Sequence, residues 1–354
     1  MRAPARRRPR PPLGPAPSSR GRLNDLTGRE WIRATRSWFV AASPPRSREE
    51  RSHPAKFPES VAAEFVRFFT RSGMRVLDPF AGTGSTLVAA RRLGRRAVGI
   101  ELSRRFARIA LRRARAAAPG AAGDLAVIVG DSRRLSALAR RHRLGPVDLV
   151  LTSPPYWDML SKSRGGVRSV QRRRAESGLP TTYSDDPRDL GNRHDYDGFL
   201  ADLAAILTDA GRHLRPGGYL VAVLQNLRDA DGAIRRLAWD VTGRLDGPLL
   251  QFQGERIWCQ DAKRLGIWGY PTTFVPNYHH HYCLVFRRRP DPAAPAGTAR
   301  PAAPAGGLPV GRASRPRPAA GPPAVPAATR RSSRRRRGAS PRRSPGGGPR
   351  SAPR

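Results

Sequence analysis

The middle of the chain alternates between two patterns of apolar residues. Short apolar runs, such as residues 97–100 and 125–129, are typical of buried strands. Between these runs, apolar residues recur at the spacing of one helix face, as at Val61, Phe65 and Phe69. Strands and helices in alternation predict a mostly parallel sheet with right-handed crossovers. Ligands are then expected at the carboxyl ends of the strands.

The same pattern gives approximate bounds for each element. Helices are predicted from residue 58 to about 69, over 85–94, over 104–118 and from residue 196 onward. Strands are predicted at 74–77, 97–100, 125–129, 147–151, 219–224, 249–258 and 282–286. Residues 158–195 are predicted to form a long irregular connection, and such loops are usually functional or mobile.

Both ends of the chain differ from this middle part. Residues 1–20 contain six Arg and no acid, and residues 291–354 contain fourteen Arg and one acid among Ala, Pro, Gly and Ser. Such compositions bury too little apolar surface to offset chain entropy, so a disordered basic head and a disordered tail are expected. Residues 21–52 are more apolar and are expected to form an arm that packs on the core domain, residues 53–290.

The charge of the chain points to a polyanionic partner. Its net charge is +39, of which the head supplies +6 and the tail +13, so +20 remains on the folded part. Nucleic acid is the direct physical interpretation. A GC-rich coding bias is the alternative: it explains Arg in place of Lys, but it does not explain the shortage of acids.

Cysteine content and hydropathy bear on the compartment. Cys259 and Cys283 give neither a disulfide framework nor a metal-ligand spacing, which fits a reducing, cytoplasmic setting. No apolar run approaches the length of a membrane span. The run His279-His280-His281 is a weak metal candidate, because neighbouring residues of a strand point to opposite faces. No metal site is therefore predicted.

A glycine turn is the centre of the predicted ligand site. Asp78-Pro79-Phe80-Ala81-Gly82-Thr83-Gly84-Ser85-Thr86 lies between the first strand and a helix. Gly82 and Gly84 let the backbone approach a ligand, and the helix N-terminus points into the same space. Glu101 closes the next strand, where a carboxylate can accept hydrogen bonds from both hydroxyls of a ribose.

Two other nucleotide motifs fit this turn less well. A phosphate-binding P-loop requires a Lys after its last Gly, and none is present. A dinucleotide-binding turn requires a small residue where the chain has Leu87. The first interpretation fails, and the second is weakened.

A second motif, Ser153-Pro154-Pro155-Tyr156, follows the strand at 147–151. The two prolines fix the backbone, so nearby carbonyls are held rigidly. An exocyclic amine of a nucleobase is a poor nucleophile, because its lone pair is delocalised into the ring. The Ser153 hydroxyl and the Pro154 carbonyl are acceptors that could localise that lone pair, and Tyr156 offers a stacking face to an extruded base.

With these motifs the chain resembles the amino-methylating DNA methyltransferases, which act on cytosine N4 or adenine N6. The resemblance covers about residues 53–290. It implies a Rossmann-like α/β fold for S-adenosylmethionine, with a mostly parallel seven-stranded sheet and an antiparallel C-terminal strand. It implies double-stranded DNA as the partner, and direct methyl transfer without a covalent base intermediate. The family needs no metal.

The resemblance also assigns roles to individual residues. Ser153, Pro154, Pro155 and Tyr156 match the family's catalytic segment. Glu101 would hold the ribose and Asp131 the adenine. The remaining cofactor contacts are assigned to Phe57, Pro58, Asp78, Phe80, Gly82, Gly84, Ser85 and Thr86.

Several alternatives stay open. A Ser at the first position of the catalytic segment is associated with cytosine N4 methylation in this family, and an Asp with adenine N6, so cytosine is favoured over adenine. An RNA base methyltransferase and a non-catalytic nucleic-acid-binding protein are further alternatives. No large target-recognition domain is apparent, so residues 158–195, and Gly254 to Asn277, are the candidates for reading sequence. The resemblance suggests a bacterial, nucleoid-associated enzyme that could have a cognate restriction enzyme or a defence-system partner.

Overall fold

The structure is a computed structural model. It describes residues 21–41, 49, 52–53, 57–120, 125–157, 174–179, 181, 184–229, 232–261, 263, 265–267 and 269–291. The predictions for the basic head, for the tail beyond residue 291 and for residues 158–173 of the long connection fall outside this part of the chain.

Seven α-helices and ten strands are assigned in the described residues. The helices are α1 (Gly28–Ala34), α2 (Glu59–Phe69), α3 (Ser85–Arg92), α4 (Arg104–Ala117), α5 (Leu135–Arg141), α6 (Tyr196–Arg212) and α7 (Leu237–Leu245). The strands are β1 (Trp38–Val40), β2 (Arg75–Asp78), β3 (Arg96–Glu101), β4 (Leu125–Val129), β5 (Val147–Thr152), β6 (Leu214–Leu224), β7 (Leu227–Arg228), β8 (Ile234–Arg235), β9 (Leu250–Cys259) and β10 (His280–Arg288).

Eight of these strands form one sheet, in the order β1-β9-β10-β6-β5-β2-β3-β4. β10 runs antiparallel to both of its neighbours, β6 and β9, and the other pairs are parallel. The predicted Rossmann-like α/β fold with an antiparallel C-terminal strand is therefore confirmed. The sheet has one strand more than the predicted seven, because β1 from the N-terminal arm joins its edge.

Each face of the sheet carries its own apolar core. One cluster joins residues of α2, α3 and α4 to the sheet and includes the fully buried Val61 and Phe65. The other joins α5, α6 and α7 to the opposite face and includes the fully buried Phe199 and Leu203. Alternate residues of the strands supply both clusters, as expected for a sheet covered on two sides.

The N-terminal arm makes contacts with the sheet and with α2. β1 pairs in parallel with β9, and Asn24 Nδ2 donates to the Phe68 carbonyl at 2.6 Å. The rings of Trp31 and Phe68 lie 4.9 Å apart. These contacts place the residue that follows β1, Ala41, at the same end of the sheet as the carboxyl ends of the other parallel strands. None of the helices described above is both long and apolar enough to cross a membrane.

Candidate active site

A cavity of about 830 Å³ opens at one end of the sheet. All eight strands reach it, and seven do so through residues at or just after their carboxyl ends. β10 is antiparallel, so it brings its beginning to the same place. Residues from or next to the eight strands that line the cavity are Ala41, Pro79, Glu101, Asp131, Ser153, Gln225, Gln260 and His281.

Gly82 brings the backbone of the glycine turn to the cavity wall. Its φ of +51° lies in the left-handed region that favours glycine. A Cβ at this position would come within 3.2 Å of His53 Nε2. The His53 ring in turn packs edge-on against Phe106, with centroids 4.6 Å apart. The turn therefore needs glycine both for its conformation and for the space beside His53.

Glu101 holds the turn from the end of β3. Its two carboxylate oxygens accept from the backbone N–H groups of Gly82 at 2.8 Å and Ser103 at 2.9 Å. Burial raises the pKa of Glu101 to about 7, against the lowering effect of these two hydrogen bonds. Each carboxylate oxygen can accept a further hydrogen bond, so the side chain can receive two hydroxyl groups of a ligand.

Asp131 lies at the cavity wall after β4. Its Oδ1 accepts from the Arg133 backbone N–H at 3.0 Å, and the Arg133 guanidinium pairs with the same carboxylate at 3.1 Å. That guanidinium also donates to the Arg188 carbonyl at 2.5 Å. Arg133 thus connects the end of β4 with the long connection between β5 and α6.

Two hydroxyl groups near the start of α3 indicate that a polar ligand fits beside Gly82. Thr83 Oγ1 and Ser85 Oγ are buried atoms, and neither has a hydrogen-bond partner in the described part of the chain. Both residues line the cavity. Unpaired buried hydroxyls are unfavourable, and a polar ligand in the cavity would satisfy them. Together with the Glu101 oxygens, they fit a ligand with a ribose and a charged amino-acid end.

Six of the predicted cofactor residues line the cavity directly, and the other four do not. Phe57, Phe80, Gly82, Ser85, Glu101 and Asp131 are lining residues. Asp78, Gly84, Thr86 and Pro58 are not among them. Gly84 instead makes room for α4, because a Cβ there would meet Ala110 Cβ at 2.9 Å.

Asp78 connects the glycine turn to the catalytic segment. Its Oδ1 accepts from Thr152 Oγ1 at 2.6 Å and from the Phe80 backbone N–H at 3.0 Å. Burial raises its pKa to about 6, although its hydrogen bonds act in the opposite direction. Because Thr152 directly precedes Ser153, this contact fixes the end of β5 relative to β2.

The Ser153-Pro154-Pro155-Tyr156 segment leaves β5 and forms part of the wall. Ser153 Oγ and Tyr156 Oη lie 3.0 Å apart, at hydrogen-bonding distance. The next residue, Trp157, has a φ of +48°, which is unusual for a bulky side chain. The segment therefore ends in a strained turn directly after the two hydroxyls, and strain of this kind is common at functional sites.

Two aromatic residues of this wall are His281, which was not assigned to the site from the sequence, and Trp258, which lies in the segment from Gly254 to Asn277 that was considered for reading sequence. The His281 ring stacks on Trp258, with centroids 4.6 Å apart, and lies 5.9 Å from the Tyr156 ring. Burial lowers the pKa of His281 to about 3, so the ring is neutral. Trp258 is 2 % exposed and donates from Nε1 to the Ala41 carbonyl at 3.0 Å. Trp258 is therefore packed in the core and also lines the cavity.

His280 and His281 point in different directions. The centroid of the His280 ring lies 5.0 Å from that of Tyr282 and 6.0 Å from that of Tyr278, whereas the His281 ring stacks on Trp258. No group of His, Cys, Asp or Glu with metal-binding geometry occurs among the described residues.

The end of the long connection also reaches the cavity. Ser184, Arg188, Asp189 and Leu190 are lining residues. Asp189 is held by Ser184 Oγ at 2.8 Å and by the Gly191 backbone N–H at 2.9 Å, and its charge adds to the raised pKa of Glu101. This part of the predicted target-recognition loop therefore lies beside Glu101 and Asp131.

One protein-family model matches the first part of the described chain. Residues 24–112 match the model of the N6/N4 methyltransferase family, described as DNA methylase. The match runs from the arm through the glycine turn and Glu101 into α4. The resemblance of this chain to the amino-methylating DNA methyltransferases is thus confirmed.

Curated relatives match over shorter spans. The chain is 41% identical over 61 residues to the type II methyltransferase M2.DpnII of Streptococcus pneumoniae, which is 17% of this chain and 23% of that protein. It is 34% identical over 100 residues to the DNA adenine methyltransferase YhdJ of Escherichia coli K12, covering 28% of this chain and 33% of that protein. The chain thus spans about a quarter to a third of the length of these relatives.

Solved structures are similar at lower identity. TrmN from Thermus thermophilus aligns over 68% of this chain and 52% of its own, with 18% identity and a TM-score of 0.41. A methyltransferase from Pyrococcus furiosus aligns over 65% of this chain and 83% of its own, with 15% identity and a TM-score of 0.36.

Proposed function

We propose that this protein is an S-adenosylmethionine-dependent DNA methyltransferase that methylates the exocyclic amine of an extruded base, preferably cytosine N4. One observation carries the proposal. The paired hydroxyls of Ser153 and Tyr156, 3.0 Å apart, line the same cavity as Gly82, Ser85 and Glu101. The residues proposed to bind the nucleoside of the cofactor and the hydroxyls proposed to bind the amine of the base therefore line the same cavity.

The cofactor half of the cavity is assigned to the glycine turn and to the ends of β3 and β4. Glu101 accepts hydrogen bonds from the ribose, and Asp131 lies where the adenine is expected. Thr83 and Ser85 supply the buried hydroxyls described above. S-adenosylmethionine, when bound, supplies an electrophilic methyl group on a sulfonium.

The catalytic half of the cavity acts on the amine. Ser153 Oγ and the Pro154 carbonyl accept from the two amine N–H groups and hold them so that the lone pair is available to the methyl group. Burial raises the pKa of Tyr156, so its phenol stays neutral and can donate to Ser153 Oγ. The site is thus arranged by hydrogen bonds and does not require an ionised side chain at the amine.

The two cysteines are poorly placed for a covalent mechanism. Neither Cys259 nor Cys283 lines the cavity, and burial raises the pKa of Cys283 to about 12. A thiolate nucleophile is therefore unavailable at the base. Direct transfer to nitrogen is the chemistry that remains.

Adenine N6 is the second candidate acceptor. Ser153 at the first position of the segment favours cytosine by the family association described above. The relative YhdJ is named a DNA adenine methyltransferase, and its similarity to this chain supports the alternative. Double-stranded DNA as the substrate is in keeping with the net charge of +39. A nucleoid location and a cognate restriction enzyme are further parts of the proposal.

Replacing Ser153 by Ala tests the proposed role directly. The variant is expected to lose about 10²- to 10³-fold in methyl-transfer turnover, because one acceptor for the amine is removed. Its affinity for S-adenosylmethionine in calorimetry is expected to be unchanged. Ser136→Ala is the matched control, since Ser136 bonds to Asp209 and does not line the cavity.

Equal losses of turnover and cofactor affinity in Ser153→Ala would contradict this role. Duplex DNA, single-stranded DNA and RNA of the same sequence are compared as substrates in the same assay. Transfer to RNA alone would replace DNA as the substrate. Failure to bind S-adenosylmethionine would leave a non-catalytic nucleic-acid-binding protein.

A further inference from the structure

The connection between β9 and β10 exposes four large apolar side chains to solvent. Leu265 is 77%, Ile267 87%, Tyr270 81% and Phe274 86% exposed. Soluble proteins seldom present so many large apolar residues within ten positions unless the surface has a binding partner. We call these four residues the apolar tip.

The backbone beneath the apolar tip is held by polar contacts. The Asn277 side chain bonds to both backbone groups of Gly266, which lies between Leu265 and Ile267. The Gly266 N–H donates to Asn277 Oδ1 at 2.9 Å, and Asn277 Nδ2 donates to the Gly266 carbonyl at 2.9 Å. Asn277 therefore holds the backbone between Leu265 and Ile267.

A second set of contacts supports the other half of the tip. The N–H groups of Thr272 and Thr273 both donate to the Gly269 carbonyl, at 2.8 and 2.6 Å. At the base of the loop, Lys263 Nζ donates to the Tyr278 carbonyl at 2.7 Å and the Gln260 N–H donates to the His279 carbonyl at 2.7 Å. The loop is thus closed at its base and turned at its end.

The loop begins and ends at the rim of the candidate active site. Gln260, Asp261 and Lys263 line the cavity on the way out, and His281 lines it on the return. Lys263 is two residues before Leu265. The apolar tip therefore begins two residues from the wall of the cavity.

We propose that the apolar tip inserts into the base stack of duplex DNA and occupies the space left by the extruded base. This inference rests on the proposed function, because it requires a base to enter the cavity. Removing a base from the stack costs a few kcal/mol, and apolar side chains inserted between base steps are a known means of stabilising an opened duplex. The strongly positive chain supplies the attraction to the phosphates that brings the tip to the stack.

A duplex with one abasic site is the probe for insertion. Its gap is already open, so a wedge enters without the cost of unstacking. Binding of this duplex and of the matched fully paired duplex is measured by fluorescence anisotropy with the full chain. The test variant is Ile267→Ser with Phe274→Ser. The conservative variant is Ile267→Leu with Phe274→Leu. The matched control is Ile32→Ser, because Ile32 is 73% exposed on α1.

We expect the wild type to bind the abasic duplex about tenfold more tightly than the paired one. The conservative variant and Ile32→Ser should keep this preference. The serine variant should bind both duplexes equally, with the wild-type salt dependence and the wild-type affinity for S-adenosylmethionine.

Two results would overturn the inference: the absence of an abasic preference in the wild type, and its full retention in the serine variant. In the second case the oligomeric state of both proteins is compared, and the result to look for is a dimer in the wild type that becomes a monomer in the serine variant. The last result would assign the tip to a second copy of the chain. Abasic preference without any methyl transfer would count against the proposed function and not against insertion.

Discussion

Burial at the cavity wall leaves the Glu101 carboxylate only partly ionised near neutral pH, because its pKa is raised to about 7. Accepting two ribose hydroxyls requires the ionised form. The affinity for S-adenosylmethionine should therefore rise as the pH rises through 7. Going from pH 8 to pH 6 is expected to weaken binding about tenfold, since about one site in ten stays ionised at pH 6.

Calorimetric titrations across this range check the prediction. Glu101→Gln should bind more weakly and with little dependence on pH. A flat profile in the wild type would exclude Glu101 as the ionised acceptor.

Single residues also show which parts of the site could be predicted from the sequence. Glu101, Asp131 and Ser153 could be assigned to one site because each follows a predicted parallel strand, and such ends share one edge of a sheet. His281 was missed because ligand contacts were expected only at the carboxyl ends of strands, whereas the antiparallel β10 brings its beginning to that edge. Asp78 and Gly84 were recognised by motif, but a motif does not distinguish a residue that contacts the ligand from one that supports the wall.

At the scale of elements, Gly84 determines how closely α3 approaches α4. Its φ is +87°, and an added Cβ would meet Ala110 Cα at 3.0 Å. Gly73 has a similar φ of +80° with no atom within 4 Å of an added Cβ. Gly73→Ala should therefore cost about 1 kcal/mol from backbone strain alone, and Gly84→Ala about 1–3 kcal/mol more from the clash.

Urea denaturation of the two glycine variants gives the comparison. Equal free energies of unfolding would show that α3 and α4 separate without cost.

β2 and β5 pair through their backbones, and one buried side-chain hydrogen bond, from Thr152 to Asp78, joins their carboxyl ends as well. In Asp78→Ala, the Thr152 hydroxyl loses its acceptor, which is expected to cost about 1–3 kcal/mol of stability. Asp78→Asn retains an acceptor oxygen and should lose less. Methyl transfer should fall further in the Ala variant than in the Asn variant, because Thr152 positions Ser153. Identical stability in both variants would contradict a role for this bond.

The shortness of β1, β7 and β8 explains why these three strands were absent from the predictions; the helices α1, α5 and α7 were also not predicted. Seven strands were predicted because each is an apolar run bounded by polar or glycine residues. β1 has three residues, and β7 and β8 have two each, so none shows a readable periodicity. β1 pairs with residues more than 200 positions away, and no local pattern indicates such a partner.

At the scale of the whole molecule, the charge of the tail should act on DNA affinity and not on chemistry. Removing residues 292–354 deletes fourteen arginines. The logarithm of the binding constant should then fall less steeply with the logarithm of the salt concentration. The slope should decrease by up to about one unit for each phosphate that the tail neutralises in the full chain. Turnover at saturating DNA should not change.

Binding titrations at several salt concentrations, with the full chain and the shortened chain, measure this slope. An unchanged slope would mean that the arginines of the tail reflect coding bias alone.

The central claim is most directly tested by mapping modified bases in DNA from cells that express this protein, beside cells that express Ser153→Ala. Single-molecule sequencing locates the modified positions, and mass spectrometry of the nucleosides identifies the base. N4-methylcytosine within one recurring sequence, absent from the Ser153→Ala cells, is the expected result. N6-methyladenine would keep the mechanism and change the base. DNA without any modified base, in cells that contain the folded protein, would contradict the proposal.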